Sequence, residues 1–209
     1  MTDTPRHLTI KPSVLYYGTP VSLISTLNPD GTPNLSPMSS SWALGNRLVL
    51  GMATNGRGFL NLERTRECVV NMPSPELWKQ VERIADTTGV DPVPGYKIAM
   101  GYRFEPRKFE CAALTPLASE VVAPPRVAEC PIQFEVRVLA IHHATPVESD
   151  GPTPMAAIET RVERVHAHES IVIPGSNHVD TSRWSPLFYV FRHYFGLGAE
   201  LGCNYRAEA

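Results

Sequence analysis

Between Asn34 and Asn71 the chain reads NLSPMSSSWALGNRLVLGMATNGRGFLNLERTRECVVN, and its chemistry-bearing residues fall into two groups. One is a hydroxyl cluster, Ser36, Ser39, Ser40 and Ser41. The other is Thr54-Asn55-Gly56-Arg57-Gly58, an arginine between two glycines at the head of a short helical turn, Phe59 to Arg64. A phosphate ester needs a fixed cation and backbone N–H groups that can come close, and an arginine between glycines at a helix start supplies both. The serines suit the polar edge of such a ligand. Each group also has a plainer use: serines after a strand serve as turn and cap residues, and an arginine in a glycine loop is commonly solvated.

Other reactive side chains are less well placed. In His166-Ala167-His168-Glu169, alternate residues of a strand share a face, and two imidazoles with a carboxylate form a metal-ligand set. Spacing fixes no further ligand, so a hydrogen-bonded strand-end histidine is preferred and no metal is expected. His142 and His143 point to opposite faces of a strand and do not serve one site. His193 lies among aromatics and is expected to be packed. Cys68, Cys111, Cys130 and Cys203 are far apart with no C-x-x-C pair and read as buried free thiols. No acid–base pair stands out, so no catalytic residue is assigned.

Composition narrows the class. A chain of 209 residues, 43% hydrophobic, buries a sizeable core as a single domain, here residues 1–209 with a core of about 16–173 and an aromatic extension, 174–209. A net charge of −2 and a pI near 6.4 provide no basic field for nucleic acid, and the cations are scattered along the chain. The N-terminus has no apolar leader and no run reaches the ~18 apolar residues of a membrane span. A cytoplasmic protein is expected, with neither nucleic acid nor membrane as partner. Twenty prolines without low complexity read as punctuation between many short strands.

The elements that must position the two groups follow from periodicity. Val21–Leu27 is a strand closed by the turn Asn28-Pro29-Asp30-Gly31, and a return strand runs into the serines. Leu48–Met52 and Glu67–Met72 are apolar strands flanking the site. Ser74-Pro75 opens a helix to about Thr87, because Leu77, Trp78, Val81, Ile84 and Ala85 recur at helical spacing. Asp91–Gly101 is a loop long enough to cover a ligand. Leu117–Ala123 reads as a short helix stopped by Pro124-Pro125. Gln133–Ile141 and Ala157–Val165 alternate and are expected to pair as a hairpin across Thr145–Pro154, with a bulge at Arg164 where the pattern changes hand. Ile171–Ile173 is a short strand. The tail, Trp184 to Leu201, carries aromatics that pack on the core or on a second subunit.

In this order along the chain, PVSLISTLNPDGTPNLSPMSSSW, LVLGMATNGRGFLNLERTRECVVNMP, EPRKFECAALTP, AECPIQFEVRV and AIETRVERVH resemble the flavin reductase-like family of FMN-binding split barrels. The resemblance covers about Val21 to His166. It implies a mainly β fold, a six-stranded Greek-key split barrel with a few peripheral helices, and a homodimer with FMN (or FAD) at or near its interface. Ser39 and Ser40 match the paired hydroxyl positions that meet the flavin ring and ribityl chain, with Ser41 assisting. Thr54, Asn55 and Arg57 match the segment that grips the phosphate, and Asn61 matches a polar position one helical turn later.

The implied activity is hydride transfer from NAD(P)H to flavin, with a partner oxygenase or another electron acceptor downstream. The alternatives are an FMN-holding electron-transfer protein of the flavoredoxin type and a non-catalytic flavin-binding protein. The best-marked reductases of the family carry Gly-Asp-His in the late strand, where this chain has Ile158-Glu159-Thr160-Arg161. FMN binding does not depend on that block. Reduction by NAD(P)H is therefore expected to be slow or to use a pocket walled by other residues, with Asp91–Gly101 and the tail as candidates.

Overall fold

The computed structural model of the chain describes residues 5–145 and 154–204. Short β-branched and apolar runs, each closed by a turn residue, form strands in chain order. β1 (Tyr17–Pro20) leads to β2 (Ser22–Leu27), which turns back into β3 (Pro33–Met38); β4 (Ser41–Leu44) and β5 (Arg47–Ala53) form the next hairpin, followed by α1 (Arg57–Thr65) and β6 (Glu67–Met72). A 3-10 turn at Pro75–Leu77 opens α2 (Trp78–Glu82). Then come β7 (Thr87–Thr88), α3 (Gly95–Ala99), β8 (Arg103–Phe104), α4 (Lys108–Ala112), β9 (Pro116–Leu117) and β10 (Arg126–Val127). The long strands β11 (Ile132–His143) and β12 (Met155–Ala167) precede β13 (Phe188–Val190) and β14 (His193–Phe195).

Seven strands form one antiparallel sheet in the order β3-β2-β6-β11-β12-β5-β4. The resemblance implies six; β4 is a strand that the sequence reading left inside the serine cluster. The edge strands β3 and β4 are consecutive in the chain, separated by Ser39 and Ser40 alone. The step from Met38 to Ser41 spans at most about 11 Å, so the sheet has to roll until its edges approach. The roll shows in a hydrogen bond between the Ser22 and Ser41 hydroxyls, 3.1 Å, from β2 to β4. Among the described residues no ladder joins β3 to β4, which leaves a seam there.

Successive strand residues point to opposite faces, and both faces of β2 are covered. Inside the roll Ile24 packs with Leu50, Phe59, Val70, Val136 and Ile158. Outside it Leu23 packs with Leu35, Val81, Ile84, Phe109 and Leu187. Each such side chain contributes about 1.5–3 kcal/mol of hydrophobic stabilisation. α1 closes the inner cluster with Phe59 and Leu62 and ends where Arg66 adopts a left-handed conformation and donates its N–H to Leu62 O at 2.9 Å. In the tail, Leu187, Tyr189 and Tyr194 pack on the outer cluster, as expected. β13 pairs with β1, Tyr17 opposite Val190, so the two ends of the chain share a three-stranded sheet.

The predicted hairpin of β11 and β12 is present with two irregularities: Glu163 on β12 is an extra residue beside Arg164, where the bulge was expected, and Leu139 on β11 is a second, opposite Glu159 and Thr160. Residues 146–153 of its loop lie outside the described residues. Several expectations are corrected. The helix predicted to reach Thr87 ends at Glu82, where the chain tightens into turns (Ile84 N to Val81 O, 3.2 Å; Ala85 N to Glu82 O, 3.1 Å) so that β7 can pair with β8. Asp91–Gly101 contains a helix, α3.

Leu117–Ala123 forms no helix because a side chain takes its donors. The N–H groups of Glu120, Val121 and Val122 point at the fully buried Glu135 carboxylate at 2.8, 2.7 and 3.1 Å, and His166 Nε2 joins them at 2.7 Å. Burial alone would raise this carboxyl's pKa, but those hydrogen bonds outweigh it and hold it below the ordinary glutamate value. Glu169–Ile171 is a 3-10 turn, and Val172 makes only an isolated bridge to Val179 where a strand was expected. Cys68 and Cys130 are buried free thiols, and burial pushes Cys68 up to about 12, whereas Cys111 is half-buried and Cys203 exposed. No helix among the described residues is long and apolar enough to cross a membrane.

Candidate functional site

The seam brings the two chemistry-bearing groups together. The run from Ser36 to Ser40 leaves β3 and enters β4, and both of its ends touch the strand–helix unit formed by β5 and α1. At one end Gly51 N donates to Ser40 O at 2.7 Å. At the other, Gly58 lies so close to Ser36 that a Cβ there would stand 2.7 Å from Ser36 Oγ and 3.2 Å from Met52 Cε. A side chain there would have to displace the Ser36 hydroxyl and the end of Met52, so the approach favours glycine. The serine run and Thr54–Gly58 thus flank one region at the open end of β5.

The groups around it are unevenly committed. Ser39 is buried, and neither the Ser39 nor the Ser40 hydroxyl makes a hydrogen bond among the described residues, whereas Ser41 is bonded to Ser22. Thr54 N donates to Pro154 O at 2.9 Å, tying the loop to the start of β12. Asn55 Oδ1 is buried with no donor facing it. α1 has Gly56 at its N-cap, no capping side chain and no acidic residue in its first turn, so its first N–H groups lack partners among the described residues. Arg57, the first residue of α1, donates from Nε to Gly89 O at 2.9 Å; its two terminal amino groups make no hydrogen bond among the described residues, and, after the Thr32 hydrogen bonds, its charge helps to lower the pKa of Asp30.

Asn61 sits one turn deeper. It is fully buried, and its amide nitrogen bonds Thr26 Oγ1 (3.1 Å) and Asn28 Oδ1 (2.9 Å), which locks α1 to β2. Asn34 donates to Thr26 Oγ1 and Ser36 Oγ at 3.3 and 3.2 Å in the same network. A Cβ on Gly89 would stand 3.0 Å from Asn34 Oδ1 and 3.1 Å from Arg57 Cβ, so this glycine also belongs to the site. Asn34 and Gly89 were missed as site residues, since an asparagine after a turn and a glycine after two threonines look like ordinary turn chemistry.

Among the described residues no three ligand-type side chains cluster, the histidines included. His166 bonds Glu135, and His168 Nε2 is 2.9 Å from Ala128 O. His143 meets the Phe59 ring edge-on, and His193 is exposed at the start of β14 and not packed as expected. In the late strand Ile158 is buried in the inner cluster, Glu159 pairs with Arg47, and Thr160 Oγ1 donates to Leu48 O at 2.9 Å. The block that replaces Gly-Asp-His is therefore committed to packing and pairing.

A family model for the flavin reductase like domain matches residues 14–198, and the chain belongs to that family. Protein YdfE of Bacillus subtilis (strain 168), described as uncharacterized, is 48% identical over 206 residues, covering 99% of this chain and 97% of its own length. The fold is similar to that of flavoredoxin of Desulfovibrio vulgaris (Miyazaki F), with a TM-score of 0.76 at 17% identity over 97% of this chain and 99% of that one. Nitrilotriacetate monooxygenase component B from Bacillus cereus superposes with a TM-score of 0.72 at 19% identity, covering 96% and 100%.

The residues present fit a flavin mononucleotide. The donorless Asn55 carbonyl calls for an N–H or O–H from a ligand, the free Ser39 and Ser40 hydroxyls can give or accept, and the uncapped start of α1 with the open edge of Arg57 matches a phosphate dianion.

Proposed function

We propose that the protein is an FMN-binding oxidoreductase that transfers hydride from NAD(P)H to flavin. The observation that carries this reading is the uncapped α1 start, where Arg57 is fixed through Nε and its outer edge is left open. Arg57 and the first N–H groups of α1 hold the phosphate, and Thr54 ties their loop to β12 through Pro154. Asn55, Ser39 and Ser40 orient the ribityl chain and ring, with Ser41 and Asn61 fixing the elements that carry them. FMN, or FAD in its place, supplies the hydride-accepting ring when bound, and the chain's task is to bind, orient and shield it. The functional unit is a homodimer, and exposed Trp42 and Leu44 on the β4 edge are surface that a second copy would cover. Reduced flavin passes to a partner oxygenase or another acceptor, in line with the monooxygenase component among the structural relatives.

A second reading, electron transfer without small-substrate turnover, is favoured by one observation: Ile158, Glu159 and Thr160 are committed within the fold to packing, to Arg47 and to Leu48 O. Hydride transfer needs near-contact geometry, and a misplacement of ~1 Å can cost ~10²-fold in rate. Anaerobic stopped-flow bleaching of the FMN-loaded protein separates the readings. Rapid saturable reduction by NADH or NADPH supports the reductase, a stable yellow protein supports electron transfer or simple binding, and a protein that takes up no flavin refutes both.

A further inference from the structure

Residues 5–13 carry the pattern of a strand without a strand's partner. In His7-Leu8-Thr9-Ile10-Lys11 polar and apolar side chains alternate, as they do along a strand with one face buried. In the structure this arm belongs to no helix or sheet and is exposed at every residue, Leu8 at 71% and Ile10 at 74%. Among the described residues the first backbone hydrogen bond that ties it to the fold is at Tyr16, whose O accepts from Phe191 N at 2.7 Å. Apolar side chains in such a row mark a contact surface.

A surface that fits the arm lies at the other end of the chain. The tail beyond β14 and the segment that follows the 3-10 turn at Glu169–Ile171 enclose an open cleft of about 1410 Å³. Its apolar lining includes Pro75, Ile173, Val179, Trp184, Leu197 and Leu201, the last two themselves exposed. Pro75 also lines a smaller hollow of about 350 Å³ with Trp78, Phe195 and Gly196, so the apolar trough runs on to β14. β14 is the last strand of its sheet, and the free N–H and C=O groups of an edge strand can take up an extended segment. The charges match as well. Glu76 and Glu200 line the cleft, and its arginine, Arg183, is already paired with Asp180, Nε to Oδ2 at 3.2 Å. The arm carries Arg6 and Lys11, and residues 5–16 include no acid.

Within one chain the two surfaces do not meet, since residues 5–13 are exposed throughout and so are Leu197 and Leu201. At ~3.3–3.6 Å per residue, residues 5–16 reach roughly 40 Å, enough to cross to a neighbouring copy. We propose that the arm of one copy docks in the cleft of a second copy, and the reverse. Leu8 and Ile10 lie on the apolar lining, and Arg6 and Lys11 face Glu76 and Glu200. A reciprocal exchange about a two-fold axis closes on itself and stops at the dimer. An arm and a cleft from each copy together approach the ~20–30 residues a side of a stable interface. The proposal rests on the homodimer reading above and deepens it by naming the segments that join the copies.

The test uses a thiol that the cleft already holds. Cys203 lines it and is exposed, whereas Cys68 and Cys130 are buried. Leu8→Cys and Ile10→Cys, each in the full chain, are oxidised with copper phenanthroline and run on a denaturing gel without reductant. Docking in a second copy gives a species of twice the chain mass that Cys203→Ser abolishes. In parallel, Leu8→Asp combined with Ile10→Asp should raise the dimer dissociation constant, measured by analytical ultracentrifugation, about 100-fold or more, with the circular dichroism spectrum unchanged. A cross-link confined to one chain puts the arm in its own cleft and overturns the proposal. A wild-type dimer that the two aspartates leave equally tight, with no cross-link through Cys203, also overturns it and leaves the homodimer reading standing on the β4 surface. A wild type that is monomeric at micromolar concentration sinks the proposal and the homodimer reading together.

Discussion

Arg57→Ala is the sharpest perturbation of the site, because the structure separates what this residue does for the fold from what it offers a ligand. Its Nε donates to Gly89 O at 2.9 Å, and its terminal amino groups are open. Losing the Gly89 contact should cost about 1 kcal/mol of stability, a fall of about 2–4 °C in the unfolding midpoint for a chain of this size. Losing one charge-assisted bond to a phosphate costs about 1.5–3 kcal/mol, which raises the FMN dissociation constant about 10- to 150-fold. Arg57→Lys keeps the charge but not the planar fork and should fall between. The assay is fluorescence titration of apoprotein with FMN and, in parallel, riboflavin, which lacks the phosphate and should bind both proteins equally. If the FMN constant stays at the wild-type value, or riboflavin weakens as much as FMN, Arg57 is not the phosphate cation and the reasoning fails.

Gly58→Ala should destabilise the protein by about 1–3 kcal/mol, since the new methyl would stand 2.7 Å from Ser36 Oγ, and adding Ser36→Ala should recover much of the loss in urea unfolding. A neutral single substitution would show that close packing is not why glycine stands there. Glu135, with a folded pKa below its ordinary 4.5, contributes stability that is fully present above that value and lost as the pH falls through the lower, folded value. Glu135→Gln should lower stability near neutrality by about 1–3 kcal/mol and flatten the acid arm of the unfolding profile, and an unchanged acid arm would contradict this. Light scattering should give twice the chain mass of 23.1 kDa at micromolar concentration, and a monomer would count against the dimer.

Strands with one clear alternation or one apolar run were legible from residues alone: Glu67–Met72 is β6 to the residue. The serine run and the Thr54–Arg57 segment were legible as chemistry, but their meeting was not, because it depends on the roll that joins β3 to β4. The failures share a cause. Leu117–Ala123 has helix-compatible residues, yet its N–H groups go to Glu135, a carboxylate beyond any local window. The helix after Ser74 stops early because Thr87 and Thr88 are claimed by Arg103 and Phe104. The burial of Lys108 was hidden for the opposite reason, since a single lysine beside a phenylalanine carries no sign of burial until α4 is placed on the outer cluster.

The pairing of Tyr17 with Val190 sets an order of events during synthesis. The partner of β1 is synthesised about 170 residues after it, and at about 5–20 residues per second β1 waits roughly 10–35 s for it. Throughout that interval Leu8, Ile10, Leu15 and Tyr17, still largely exposed in the finished fold, are carried on a segment with nothing to pair with. A nascent chain stalled before residue 188 therefore presents the unpaired edge of β1, beside those exposed apolar side chains, to whatever binds unfolded polypeptide. The same chain with its last strands released can close its two ends together in one step.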